Sequence, residues 1–221
     1  MKKVFIITGA DRGLGEGFVD VLIKDNNNFV ISMSRSLSEA QKTYTSDSFY
    51  FLKADLSDNA IDKKISFINT LINNEDVCFI NNAVVIEPID KIENLQDQDI
   101  ERTISVNIKA TIQLTKYLLR NFNENKLTFI NISSGAANRA ISNWSLYCSS
   151  KAFIKMFYEV AEIEYRQHRF FNIDPGVMDT NMQKSIRNSD FPDVSSFKGL
   201  QEQGKLKAPK QVALEILNAV L

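Results

Sequence analysis

Thr8-Gly9-Ala10-Asp11-Arg12-Gly13-Leu14-Gly15 is the stretch on which the reading of the fold turns. Before it, Val4, Phe5, Ile6 and Ile7 make Lys3–Thr8 an unbroken apolar run, the pattern of a strand buried on both faces. After it, Phe18, Val19, Leu22 and Ile23 recur at helical spacing, predicting a helix over Gly13–Lys24. Gly9, Gly13 and Gly15 permit a tight turn, close backbone approach to a pyrophosphate and close helix–strand packing. The start of the helix adds free N–H groups and the positive end of a dipole, which suit a phosphate. The spacing is not that of the dinucleotide fingerprint G-x-G-x-x-G; it reads T-G-x-x-x-G-x-G.

Outward from this turn, strand and helix patterns alternate along the whole chain. Strands are expected at Phe29–Met33, Phe49–Ala54, Val77–Asn81, Leu127–Ser133 and Phe170–Asp174. Helices are expected at Asp58–Ile72, Asp97–Phe122, Trp144–Tyr165 and, amphipathic at the end, Lys210–Leu221. Asp190–Lys207 reads as a semi-mobile cover. The alternation predicts an α/β fold, a Rossmann-type doubly wound parallel sheet with helices on both faces. Its 221 residues suit one domain, 1–221, with a substantial core.

Composition removes several function classes. The net charge is −1 with no basic block, which argues against nucleic acid. No apolar run approaches the ~20 residues of a membrane span, and the start is too short for a secretory signal, so a cytoplasmic protein is expected. Cys78 and Cys148 suggest neither a disulfide framework nor a metal site. Cys78 reads as a core residue, and Cys148 lies where it could react. The single histidine, His168 in Arg166-Gln167-His168-Arg169, is expected at the surface, so no histidine relay is foreseen.

Two groups carry the chemistry. Tyr147 and Lys151 stand at i and i+4, on one helix face, where the ammonium would pull the phenol pKa down from ~10 toward neutrality. Strand two ends in Ser34-Arg35 with no acid, and Arg12 sits in the glycine turn. An arginine here accommodates a 2′-phosphate, which points to NADP(H) over NAD(H).

Taken together, these residues resemble the short-chain dehydrogenase/reductase family, and the segments that carry the likeness span nearly the whole chain. The resemblance implies a catalytic tetrad of Asn107, Ser134, Tyr147 and Lys151. Tyr147 would be the general acid, with Ser134 beside it on the carbonyl oxygen. Lys151 would also hold the nicotinamide ribose, and Asn107 a water leading to solvent. It implies cofactor contacts at Gly9, Arg12, Gly13, Leu14, Gly15, Ser34, Arg35, Asp55, Leu56, Asn82 and Ala83. The Pro175-Gly176-Val177 turn and Thr180 would hold the carboxamide. Asn131–Ala137, Trp144–Cys148 and Gly176–Gln183 are similar to bacterial benzil reductases, which are related to sepiapterin reductases. That branch implies reduction of a ketone beside a second carbonyl or a ring. Trp144, Met178, Met182 and Phe191 would then form an apolar wall near Ser134 and Tyr147. A sepiapterin-type or acyl-chain ketoreductase, or a non-catalytic NADPH sensor, is the alternative.

Two departures stand out. Asn81-Asn82-Ala83-Val84 carries valine where the family has glycine, which should reshape that loop. The sequence stops at Leu221, where the family continues into a seventh strand, so either the sheet has an open edge or the sequence is a truncated form. A homodimer through the two long helices is the expected assembly.

Overall fold

The structure, a computed structural model, describes residues 3–58 and 61–221. Six strands form one sheet: β1 Lys3–Thr8, β2 Asn28–Ser34, β3 Phe49–Lys53, β4 Asp76–Asn81, β5 Leu127–Ile132 and β6 Arg169–Ile173. All pairs are parallel, in the order β3-β2-β1-β4-β5-β6. The order reverses between β1 and β4, and a crevice opens beyond their carboxyl ends, as such sheets require.

Helices cover both faces: α1 Gly13–Leu22, α2 Ile61–Ile65, α3 Asp97–Thr103, α4 Ala110–Asn121, α5 Ser145–Glu164, α6 Asn181–Asn188, α7 Val194–Glu202 and α8 Pro209–Val220. The apolar run of β1 divides as pleating dictates. Val4 and Ile6 join a core with Leu114, Leu118, Ile154 and Tyr158, whereas Phe5 and Ile7 join Phe18, Val19, Ala213 and Leu217 on the other side.

Three expected elements differ. The helix predicted over Asp58–Ile72 is broken: Ile61–Ile65 is followed by a 3-10 stretch, Ser66–Thr70, while Asn59 and Ala60 lie outside the described residues. The buried spacing of Ile61, Ile65, Ile68 and Ile72 is kept, so packing decides the face and not the helix type. The predicted Asp97–Phe122 helix carries a wide π-helical stretch, Ile104–Lys109, between α3 and α4, and Asn107 sits in it. The segment read as a semi-mobile cover contains α7.

A ladder of asparagines crosses the carboxyl ends of three strands. Asn81 Nδ2 donates to Asn131 Oδ1 (2.9 Å), and Asn131 Nδ2 to Asn172 Oδ1 (2.8 Å). Thr111 on α4 donates to Asn81 Oδ1 at 3.1 Å, tying the helix to the same ladder. These residues pair directly in register, Asn81 with Asn131 and Asn131 with Asn172.

Candidate active site

The crevice is a cavity of about 1100 Å³ running along the strand ends. One end is lined by Arg12, Ser34, Arg35, Asp55, Leu56 and Arg102, the other by Ser134, Tyr147, Lys151, Met178 and Met182. The glycine turn forms its floor. Gly9 takes φ +62°, and a Cβ there would lie 3.0 Å from Ala83 Cα. At Gly15 a Cβ would fall 2.1 Å from Gly9 O, so this glycine serves helix–turn packing and is itself covered.

Thr8 and Asn82 brace that turn. Thr8 Oγ1 accepts from the N–H of Asn82 and of Ala83, both at 3.0 Å, and Asn82 Nδ2 donates to Thr8 O and Gly9 O at 3.0 and 3.1 Å. Asn82 and Ala83 line the cavity, yet the amide of Asn82 is already committed to holding the turn. Val84 needs no special backbone: Asn143 is the one non-glycine residue with positive φ among those described. Its side chain packs beside Ile86 and Tyr147.

At the basic end Arg12 precedes α1 and faces the cavity with Leu14 and Arg35. Ser34 donates to Ser36 O at 2.7 Å, and Ser36 donates to Asp11 Oδ2 at 3.2 Å, so an acid the sequence reading passed over stands at this end. Asp55 Oδ1 accepts from the hydroxyl (2.7 Å) and the N–H (2.9 Å) of Ser57. These bonds, helped by Arg35 and Arg102, hold its carboxyl below the usual range.

At the other end three of the four residues expected in the tetrad, Ser134, Tyr147 and Lys151, line the cavity, and Asn107 lies outside its lining. Ser134 Oγ accepts from Ala136 N (3.2 Å), opening the 3-10 turn Gly135–Ala137, and it lines the cavity beside the Tyr147 phenol. Lys151 Nζ lies 5.8 Å from the Tyr147 ring centroid and donates to Ile132 O at 2.5 Å. Asn107 is 4 % exposed. Its Oδ1 accepts from Val85 N (2.9 Å), and its Nδ2 donates to Val85 O (2.9 Å) and Ser150 Oγ (3.0 Å), one residue from Lys151.

The electrostatics correct the expectation for Tyr147. In the protein alone burial pushes its phenol up to about 12, the Ser134 hydroxyl opposing and Asp174 reinforcing. Lys151 is pushed down to about 8 by the same burial, with Asp174 opposing. Shared desolvation outweighs the attraction argued from helical spacing, so the protein's own groups do not bring the phenol near neutrality.

After β6, Asp174 Oδ1 accepts from Gly176 N at 3.0 Å, and Gly176 takes φ +70°. Pro175, Gly176 and Thr180 line the cavity; Val177 does not. Thr180 Oγ1 caps α6 by accepting from Gln183 N at 3.3 Å, while its methyl lies 3.4 Å from where a Gly13 Cβ would be.

Trp144 and Phe191, expected in the apolar wall, are each 4 % exposed and sit in an aromatic cluster behind it. The Trp144 ring lies 5.6 Å from Tyr147, 5.8 Å from Phe191 and 5.4 Å from Phe197. Val84, Val85, Ile86 and Val106 line the cavity in their place, and no period in the sequence marks the loop of the first three. His168 is likewise not at the surface. It is 6 % exposed, stacks on Tyr165, approaches Asn123 Oδ1 at 3.3 Å, and has its pKa lowered by burial. Cys78 is a core residue whose thiol burial pushes up to about 12, and Cys148 is half-buried.

The short chain dehydrogenase family model matches residues 3–190. Benzil reductase ((S)-benzoin forming) of Bacillus cereus is 33% identical across 98% of this chain and 93% of its own. Sepiapterin reductase of Bos taurus is 26% identical across 98% and 89%. Among solved structures, that of the KRED1-Pglu enzyme superposes with a TM-score of 0.89 at 29% identity, covering 99% of this chain and 95% of its own. The chain belongs to the short-chain dehydrogenase/reductase family. It is an oxidoreductase acting on C=O and CH–OH groups with a nicotinamide cofactor.

The crevice suits such a cofactor: it is lined by the glycine turn, by Arg12 and Arg35, and by the hydrogen-bonding groups of Ser134, Tyr147 and Lys151.

Proposed function

We propose that the protein is an NADPH-dependent carbonyl reductase acting on an aromatic 1,2-diketone or a comparable activated ketone. The observation that carries this reading is the joining of Ser134, Tyr147 and Lys151 at one end of a cavity whose other end holds Arg12 and Arg35. Arg12, Arg35 and Ser34 would receive the 2′-phosphate. The turn of Gly9, Gly13, Leu14 and Gly15 would receive the pyrophosphate, and Asp55, Leu56, Asn82 and Ala83 the adenosine half. Lys151, Tyr147, Pro175–Val177 and Thr180 would hold the nicotinamide half. When bound, the cofactor supplies hydride to the carbonyl carbon and, once oxidised, a positive ring charge.

The chain's own groups handle the oxygen. Hydroxyl donors from Ser134 and Tyr147 meet the charge that develops on it. With its pKa near 12, Tyr147 is fully protonated at neutral pH and ready to donate. Lys151, near 8, is mostly protonated at pH 7 and stabilises the phenolate left behind. Asn107, locked through Ser150 to the turn before Lys151, fixes that end of the relay.

Met178, Met182, Val84 and Ile86 give the substrate an apolar surface. The protein would work in the cytoplasm as a homodimer. Phe153, Met156, Val160 and Ile163 form an exposed apolar stripe on α5, and Ile104 is exposed on the π-helical stretch. Among the described residues no helix is long and apolar enough to cross a membrane.

The test is loss of NADPH absorbance with benzil, NADH run in parallel. Oxidation of NADPH at ten or more times the NADH rate is expected. Equal rates would remove the 2′-phosphate argument. Oxidation with sepiapterin but not benzil would move the substrate to the pterin reading, which the likeness to sepiapterin reductase keeps open.

A further inference from the structure

Arg187 stands on α6 in the wall of the cavity. Its Nη1 is sealed from solvent and has no hydrogen-bond partner. Among the described residues no carboxylate approaches it within ion-pair distance. Glu87, Asp174 and Asp179 line the same cavity and leave it unpaired. Gln183, one helical turn earlier, carries a sealed Oε1 without a donor, so Arg187 in its present rotamer passes over an acceptor on its own helix.

A guanidinium cannot shed its charge, and a covered N–H without an acceptor costs stability. Its planar fork of donors matches carboxylate geometry.

Position along α6 separates the two ends of the crevice. Thr180 caps the helix over Gly13. Arg187 lies seven residues on, about 10 Å at the helical rise, away from the glycine turn. Its neighbour Ile186 is in the apolar cluster of Ile86, Ala136, Trp144 and Tyr147. Arg187 therefore serves the end where the carbonyl would sit.

We propose that Arg187 holds an anionic oxygen group of the substrate, so that the preferred substrate is a ketone or 1,2-dicarbonyl that also carries a carboxylate. The proposal rests on the reductase reading for the place of the carbonyl. A cofactor phosphate is the other source of the same chemistry, and the experiment separates the two.

The experiment compares equilibrium binding of benzil and 4-carboxybenzil to the protein saturated with NADP⁺, so that no turnover intervenes. The native protein should favour 4-carboxybenzil by about tenfold or more, the size expected of a charge-assisted hydrogen bond. Arg187→Met should bring the ratio near one, and Arg187→Lys should keep part of it. Equal affinities in the native protein, binding of neither ligand, or a ratio that survives Arg187→Met would overturn the proposal. The last result combined with a lowered Tm would make Arg187 a structural partner of Gln183. A loss of NADP⁺ affinity in Arg187→Met as large as the loss for 4-carboxybenzil would assign the guanidinium to the cofactor, against the proposal. A protein that keeps the affinity ratio yet reduces neither ligand with NADPH would count against the reductase reading and for the role of Arg187.

Discussion

At Tyr147 the phenol is held protonated by burial, with Ser134 beside it and facing an ammonium whose own pKa burial lowers to about 8. Removing the hydroxyl removes the proposed proton donor and leaves the ring packing against Trp144 in place. Tyr147→Phe should lower kcat by about a thousandfold, the scale of general acid catalysis, while the NADPH Kd measured by fluorescence titration changes less than threefold. Unchanged kcat would sink the mechanism. Lys151 permits a separate test. Its folded pKa, about 8, is below the ordinary value for lysine, so the unfolded chain binds the proton more tightly between roughly pH 8 and 10. Stability should therefore rise with pH across that window, and the penalty for burying the ammonium is fully present below it. The groups facing it are Tyr147 and Asp174. Lys151→Met should abolish this rise, a difference on the order of 3 kcal/mol between the two proteins' urea-derived stability curves at pH 7 and pH 10. Parallel curves would show that the ammonium is not desolvated as the geometry indicates.

At the scale of elements, two glycines make opposite demands. A Cβ on Gly15 would collide with Gly9 O, so Gly15→Ala should destabilise by about 1–3 kcal/mol and weaken NADPH binding as the start of α1 moves. On α7 a Cβ at Gly199 would meet only Gln203 Nε2 at 3.8 Å. There alanine should stabilise by about 0.5–1 kcal/mol through helix propensity. Thermal melts of both variants check the pair; a neutral Gly15→Ala would mean that the turn is looser than described. This contrast also explains what was legible beforehand. The glycine turn and β1 declare themselves because each position has a single steric or burial demand that composition reveals. Tyr147 and Lys151 were legible because helical spacing puts them on one face, whereas Ser134 was legible only through its resemblance to the family's motif. The wall of Val84, Val85 and Ile86 was not, because it belongs to a loop with no period. Trp144 and Phe191 were misplaced because an aromatic residue near a site in sequence can face either the cavity or the cluster behind it. The phenol pKa went the wrong way since charge proximity can be read from spacing, whereas desolvation depends on how deeply distant segments bury the pair.

At the scale of the whole molecule, the exposed stripe of α5 is a feature the packing does not use. Phe153, Met156, Val160 and Ile163 are 48, 59, 45 and 69 % exposed at spacings that keep them on one helix face. Val160→Asp should halve the mass seen by sedimentation equilibrium while leaving the fold intact by circular dichroism. A native protein that sediments as one chain, or a variant that stays paired, would refute the dimer. At the sheet's outer boundary, β6 has no neighbouring strand on one side among the described residues. There Arg169 bonds Val220 O at 2.6 Å and lies over Phe171, placing a cation on the exposed edge where it discourages strand addition.

The asparagine ladder has a further consequence, for how the chain tolerates change. Apolar side chains on neighbouring strands would pack almost as well one step out of line; amides would not. A slip of β5 by one residue would set Ile130 or Ile132 against Asn81 and strand its amide in a dry interior. The three residues thus act as a lock that opens to a single alignment. The mouth of the crevice takes its shape from that one alignment, because the three strands end there.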